Sequence, residues 1–136
     1  MPITHLEQSR AAHALARAQT CRKQEKDGDC LPGYPGLIVN NGLLATLAFA
    51  MEKSLEKGRI NPRAQWWAVS SAIAYHLHQL GIVTHQRGEP DAASLRDELI
   101  SPRCDAFTLR RATDEALAFL GYLKRFAKQP AAAPQP

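Results

Sequence analysis

Apolar residues along the chain recur at three- and four-residue spacing, and no stretch sustains the alternation of a half-buried strand. Within residues 4–25, Leu6, Ala14, Ala18 and Cys21 form a thin apolar stripe with Ala11 and Leu15 beside it. Arg10, Arg17, Arg22 and Lys23 occupy the remaining faces, which predicts a first helix. Lys26-Asp27-Gly28-Asp29 reads as a polar loop, and Pro32-Gly33 and Pro35-Gly36 punctuate the next few residues. From Leu37 to Lys53 the pattern is again helical but apolar nearly all round, with Leu43, Leu44, Leu47, Ala48, Phe49 and Met51. That is the mark of a helix buried among others. Gly42 interrupts it at a cost of about 1 kcal/mol relative to Ala in a helix interior, so close helix approach or a bend is expected there.

Asn61-Pro62 has the form of an N-cap followed by Pro at the first helical position. Trp66, Val69, Ile73, Leu77 and Leu80 then carry a helix that Gly81 is placed to end. Trp67, turned about 100° from Trp66, is expected to pack on another helix. After a loop through Gln86–Pro90, a short helix covers 92–100 with Leu95 and Leu99 inward. Ser101-Pro102 repeats the cap-and-proline pattern before a last helix running to about Lys128. Its stripe is Leu109, Ala112, Ala116, Leu120, Leu123 and Ala127, flanked by Phe119 and Phe126. The chain therefore reads as all-α, a single-domain bundle of five to six helices over residues 1–129. Leu47, Phe49, Trp66, Ile73, Leu120 and Leu123 are its expected core, and an Ala/Pro-rich tail at 130–136 is expected to be disordered.

Composition narrows this only slightly. At 136 residues the chain is the size of one domain. It has no apolar run near the ~20 residues that span a bilayer, and Met1 to Arg10 is polar with no secretory h-region. A cytoplasmic protein without a membrane partner is expected. Three cysteines, Cys21, Cys30 and Cys104, then read as reduced thiols.

Chemistry has few places to reside. His76 and His78 are two apart, so on a helix they face different ways and cannot readily share a metal. His85 in the following turn brings no carboxylate or thiol cluster with it. G-x-S-x-G, P-loop and G-x-G-x-x-G motifs are absent, and in the adjacent pairs Asp97-Glu98 and Asp114-Glu115 the side chains diverge. No enzyme activity, cofactor or metal is expected.

The net charge of +4 suits an anionic partner without demanding one. Lys53, Lys57, Arg59 and Arg63 straddle the turn before the Trp66 helix. Arg110, Arg111, Lys124, Arg125 and Lys128 lie along the last helix against Asp114 and Glu115 alone. Such a strip is either a solvated face or a track for phosphates, and spacing leaves both open.

Two blocks say more. One runs Tyr34-Pro35-Gly36-Leu37-Ile38-Val39-Asn40-Asn41-Gly42-Leu43-Leu44-Ala45-Thr46-Leu47-Ala48-Phe49. The other contains Thr113-Asp114-Glu115-Ala116-Leu117, then Tyr122-Leu123-Lys124-Arg125-Phe126-Ala127. In this order, within a small helical chain, they resemble the small subunit of the Cmr effector complex of type III-B CRISPR systems. The likeness covers most of residues 34–128. Tyr122 stands where that family more often has Trp, and Leu109 where an aromatic is common.

The resemblance implies a non-catalytic antiviral-defence subunit whose copies stack head-to-tail beside the backbone and large subunits, along the guide and target RNA. It thereby gives Lys53, Lys57, Arg110, Arg111, Lys124, Arg125 and Lys128 a role as RNA-binding residues. The small subunit of a type III-A complex and a free-standing helical nucleic-acid-binding protein are the alternatives. The second would normally show a helix-turn-helix, and none stands out.

Overall fold

The computed structural model describes residues 5–23, 28–84 and 88–129. The expectations for Lys26 and Asp27, His85 and Gln86, and the 130–136 tail lie outside them. The described chain is all-α: α1 (Leu6–Arg17), α2 (Tyr34–Asn41), α3 (Leu43–Lys53), α4 (Gln65–Gln79), α5 (Ala92–Ile100) and α6 (Ala106–Lys128). One short hairpin joins β1 (Leu55–Glu56) to β2 (Arg59–Ile60).

α4 is the hub, packing against α1, α3, α5 and α6. It buries residues on nearly every side: Gln65, Val69, Ser70, Ala72, Ile73, Ala74, His76 and Leu77. Its polar residues can be buried because each finds a partner. Ser70 Oγ lies 2.8 Å from the Trp66 carbonyl and 2.6 Å from Tyr34 Oη. The Gln65 amide donates to the Cys21 carbonyl (3.0 Å) and to Asp29 Oδ1 (2.7 Å), and its oxygen accepts the Cys30 N–H (2.9 Å).

The apolar 37–53 stretch does not take the central position expected of it. Val39 is 70% and Phe49 38% exposed, because α2 and α3 turn their other sides, with Ile38, Leu43 and Leu47, to the core. Of the expected core, Leu47, Ile73, Leu120 and Leu123 are buried. Trp66 is half-buried and meets Phe49 edge-on, their ring centroids 5.3 Å apart, at the margin. Trp67 is half-buried as well.

The ends of the helices follow local hydrogen bonding. Gly81, at φ +74°, ends α4 as expected: its N–H reaches the His78 carbonyl and the Ile82 N–H reaches that of Leu77, the two bonds of a Schellman motif. α5 has the bounds the sequence predicts and opens on a reciprocal cap between Asp91 and Ser94.

Four starts and stops differ from the sequence reading. α2 starts at Tyr34 and takes in Pro35 and Gly36. α1 stops at Arg17, short of residue 25, where Thr20 Oγ1 donates to the Arg17 carbonyl. Asn61-Pro62 does not begin α4: Asn61 N–H donates to Ser54 O and its Oδ1 accepts the Arg63 N–H, so these residues close the hairpin and the helix starts at Gln65. Ser101 likewise ends α5, its N–H bonded back to the Asp97 and Glu98 carbonyls, and Asp105 caps α6 by accepting the Thr108 N–H at 2.7 Å. In both places a proline-bearing turn mimics a helix start. The hairpin turns through Lys57 and Gly58, both with positive φ.

Gly42 separates α2 from α3 with φ +91° and ψ 161°, a conformation that only glycine adopts cheaply. A Cβ there would meet no atom within 4 Å, so the expected close helix approach is corrected: backbone conformation, not crowding, demands glycine. Gly42→Ala should therefore cost about 1–3 kcal/mol in denaturant unfolding through backbone strain alone. Unchanged or raised stability would contradict this origin.

Candidate nucleic-acid interface

α6 carries most of the cations singled out in the sequence. Ala112, Ala116, Phe119, Leu120 and Leu123 turn inward, and Arg110, Arg111, Arg125 and Lys128 are exposed on the other side with Lys124 half-exposed. Along the helix Arg110 and Lys124 stand about 21 Å apart at 1.5 Å per residue, so α6 presents two separate groups. At its start, the side chains of Arg110 and Arg111 make no hydrogen bond or ion pair with a described residue. At its end, Lys124 and Lys128 are joined by Arg22 and Lys23 around a recess of about 230 Å³ that also holds Asp29. Arg125 points elsewhere and donates to the Gly121 carbonyl of its own helix at 3.0 Å. Lys53 sits 5.5 Å from the Phe49 ring centroid and lines a second recess, of about 520 Å³, that shares Asp29 with the first. Lys57 is at the tip of the hairpin.

Arg22 and Lys23 belong to the segment just after α1, so the docking of α1 sets their position. That docking centres on Glu115, buried on α6. Arg10 of α1 pairs with it through both carboxylate oxygens, Nε at 2.7 Å and Nη2 at 2.8 Å. His76 of α4 reaches Glu115 Oε2 through Nε2 at 2.8 Å, while its Nδ1 lies 2.8 Å from Nδ1 of His13 on α1. Phe119 stacks on the His76 ring with centroids 4.5 Å apart and an interplanar angle of 11°. Beyond this group Tyr122 Oη donates to Glu7 Oε2, the Arg17 guanidinium lies 4.0 Å from the Tyr75 ring centroid, and Cys21 Sγ donates to the Ala68 carbonyl. The Arg22 guanidinium donates to the carbonyl of Gln129, which brings the end of the α1 segment against the end of α6.

Comparison with known proteins decides what kind of chain this is. The model of the family described as CRISPR-associated protein (Cas_Cmr5) matches residues 6–129. The chain belongs to that family. The match takes in both sequence blocks and identifies a Cmr-type small subunit of a multi-subunit type III-B CRISPR complex. No solved structure matches the chain.

In this Cas_Cmr5 chain the sequence reading found the cations of α6 but not Arg22 and Lys23, which it left on the outer face of a longer first helix. It also passed over Arg10, His13 and Glu115 as partners. The signal in the sequence was a carboxylate within an apolar stripe: Glu115 lies three residues after Ala112 and four before Phe119, and His76 lies three after Ile73. Among the described residues no three His, Cys, Asp or Glu side chains converge as metal ligands.

The geometry fixes where the protons are. Glu115, doubly bonded to Arg10, is ionised: burial works to raise its carboxyl, but the hydrogen bonds from Arg10 and His76 outweigh this and hold it below the ordinary range. Neutral His76 then donates from Nε2, and its Nδ1 accepts the Nδ1–H of His13. Two protons cannot occupy a 2.8 Å gap between nitrogens, so the pair cannot be doubly charged in this geometry. Burial lowers both histidines from their ordinary value, with the Glu115 hydrogen bond opposing it only in part at His76.

The unfolded chain therefore takes up protons near pH 6.5 that the fold resists, so stability is complete above about pH 6.5 and declines as the pH falls below it. The limiting slope is about 1.4 kcal/mol per pH unit for each neutral histidine. Stability from Glu115 persists to lower pH and is lost as its own folded value is passed. Thermal unfolding across this range should show the decline in the wild type and a flatter limb in His76→Gln, whose amide can still donate to Glu115. Equal pH dependence in the two proteins would contradict the assignment.

Proposed function

We propose that this family member is a non-catalytic subunit that holds RNA by its phosphates within the type III-B complex. In this reading it acts in the cytoplasm in antiviral defence, stacking head-to-tail with further copies beside the backbone and large subunits along the guide and target RNA. The observation that carries the proposal is the convergence of Arg22, Lys23, Lys124 and Lys128 on one recess, where Asp29 is the one carboxylate among the described residues that line it. Four cations brought to one place from two chain segments repel one another and favour a polyanion, whereas a solvated strip has no reason to gather them.

Arg110 and Arg111 add a second cationic point on the same helix, and Lys53 and Lys57 contribute from α3 and the hairpin. Contacts of this kind follow a backbone and do not read bases. No described helix is long and apolar enough to cross a membrane.

Reconstituted complexes carrying Lys124→Ala/Lys128→Ala or Arg110→Ala/Arg111→Ala test the reading, with subunit content verified before use. Titrated with target RNA at several salt concentrations, each should bind more weakly and lose about one unit of salt slope per phosphate contact removed, equally on unrelated sequences. Affinity and slope unchanged in both would place the RNA-facing surface elsewhere.

A further inference from the structure

Phe107, in the first turn of α6, is 73% exposed, the most exposed of the large apolar side chains among the described residues. Most of the other exposed large apolar side chains are aliphatic, and the remaining aromatic one, Phe49, is partly covered by Trp66. Phe107 lines an open recess of about 250 Å³ with Arg110 and Arg111, which come three and four residues after it and so rise beside it on the helix. Arg10 and Glu115, which also line the recess, neutralise each other, leaving Asp114 against Arg110 and Arg111, none of whose side chains pairs with a described residue.

An exposed phenyl face beside two guanidinium groups that no described residue pairs matches the two parts of a nucleotide, a π-stacking base and its phosphates. We infer that Phe107 is a stacking platform for one unpaired RNA base whose flanking phosphates are held by Arg110 and Arg111. This rests on the RNA-binding reading above and adds to it: the surface there favours single-stranded RNA, since a duplex keeps its base faces covered.

Fluorescence anisotropy with the full chain, using labelled oligo(A) and the same strand annealed to oligo(U), tests this at several salt concentrations. Phe107→Leu should weaken binding of the single strand roughly 5- to 150-fold, the range of one base–aromatic stack, with an unchanged salt slope. Phe107→Trp should retain or strengthen it, and duplex binding should not respond to either variant. Arg110→Ala/Arg111→Ala should instead lower the salt slope. Melting temperatures close to wild type are expected for the Phe107 variants, because so exposed a ring contributes little to the core. Loss of binding in the arginine variant with full retention in Phe107→Leu would overturn the stacking role and leave the phosphate reading standing. No response to any of the substitutions would overturn the stacking role together with the phosphate role of Arg110 and Arg111, and no RNA binding at low salt would overturn the RNA-binding reading as well. Normal RNA binding by Phe107→Leu combined with its exclusion from the assembled complex would make the ring a protein contact, and would equally overturn the inference.

Discussion

Glu115 is the constraint on which the described structure turns. A carboxylate buried between three helices is costly unless its charge and lone pairs are met, and here Arg10 meets both oxygens while His76 meets one of them again. The consequence spreads outward along α1. Once Arg10 and His13 are fixed, Arg17 lies over Tyr75, Cys21 reaches Ala68, and Arg22 and Lys23 arrive beside Lys124 and Lys128. Removing one partner of such a buried pair typically costs about 3–5 kcal/mol. The quarter-exposed Arg10 moderates that figure here. The interaction is more informative about specificity than about stability: one register of α1 satisfies Glu115, and that register places the cations.

Much of the fold was legible in the sequence because its signals are local. The stripe of α6, the bounds of α5 and the Gly81 stop each depend on residues within a few positions of one another. The misreadings at Asn61-Pro62 and Ser101-Pro102 share a cause: an Asx or Ser turn before proline uses the same residue types as a helix cap, and the hydrogen bonds that distinguish them are made to Ser54 and to the end of α5. The central position of α4 was hidden for a different reason. Gln65, Ser70 and His76 look like surface residues until the partners each has more than thirty positions away are known.

The candidate interface was half legible. Density of charge on α6 could be read directly, but the division into two groups needed the helix length, and the recruitment of Arg22 and Lys23 needed the docking of α1. Arg125, indistinguishable from Lys124 and Lys128 by composition, turns back on its own helix. Family membership places the chain in a multi-subunit Cmr complex, where a small helical subunit is held by its contacts with other chains.

The most direct test of the account is amide hydrogen exchange by mass spectrometry on the wild type and Glu115→Gln, which removes the charge but keeps the shape. If Glu115 governs the docking of α1, peptides covering residues 6–23 should lose protection in the variant while α3 and α5 keep theirs, as expected for a local opening. Unchanged protection over residues 6–23, or an equal loss throughout the chain, would contradict it.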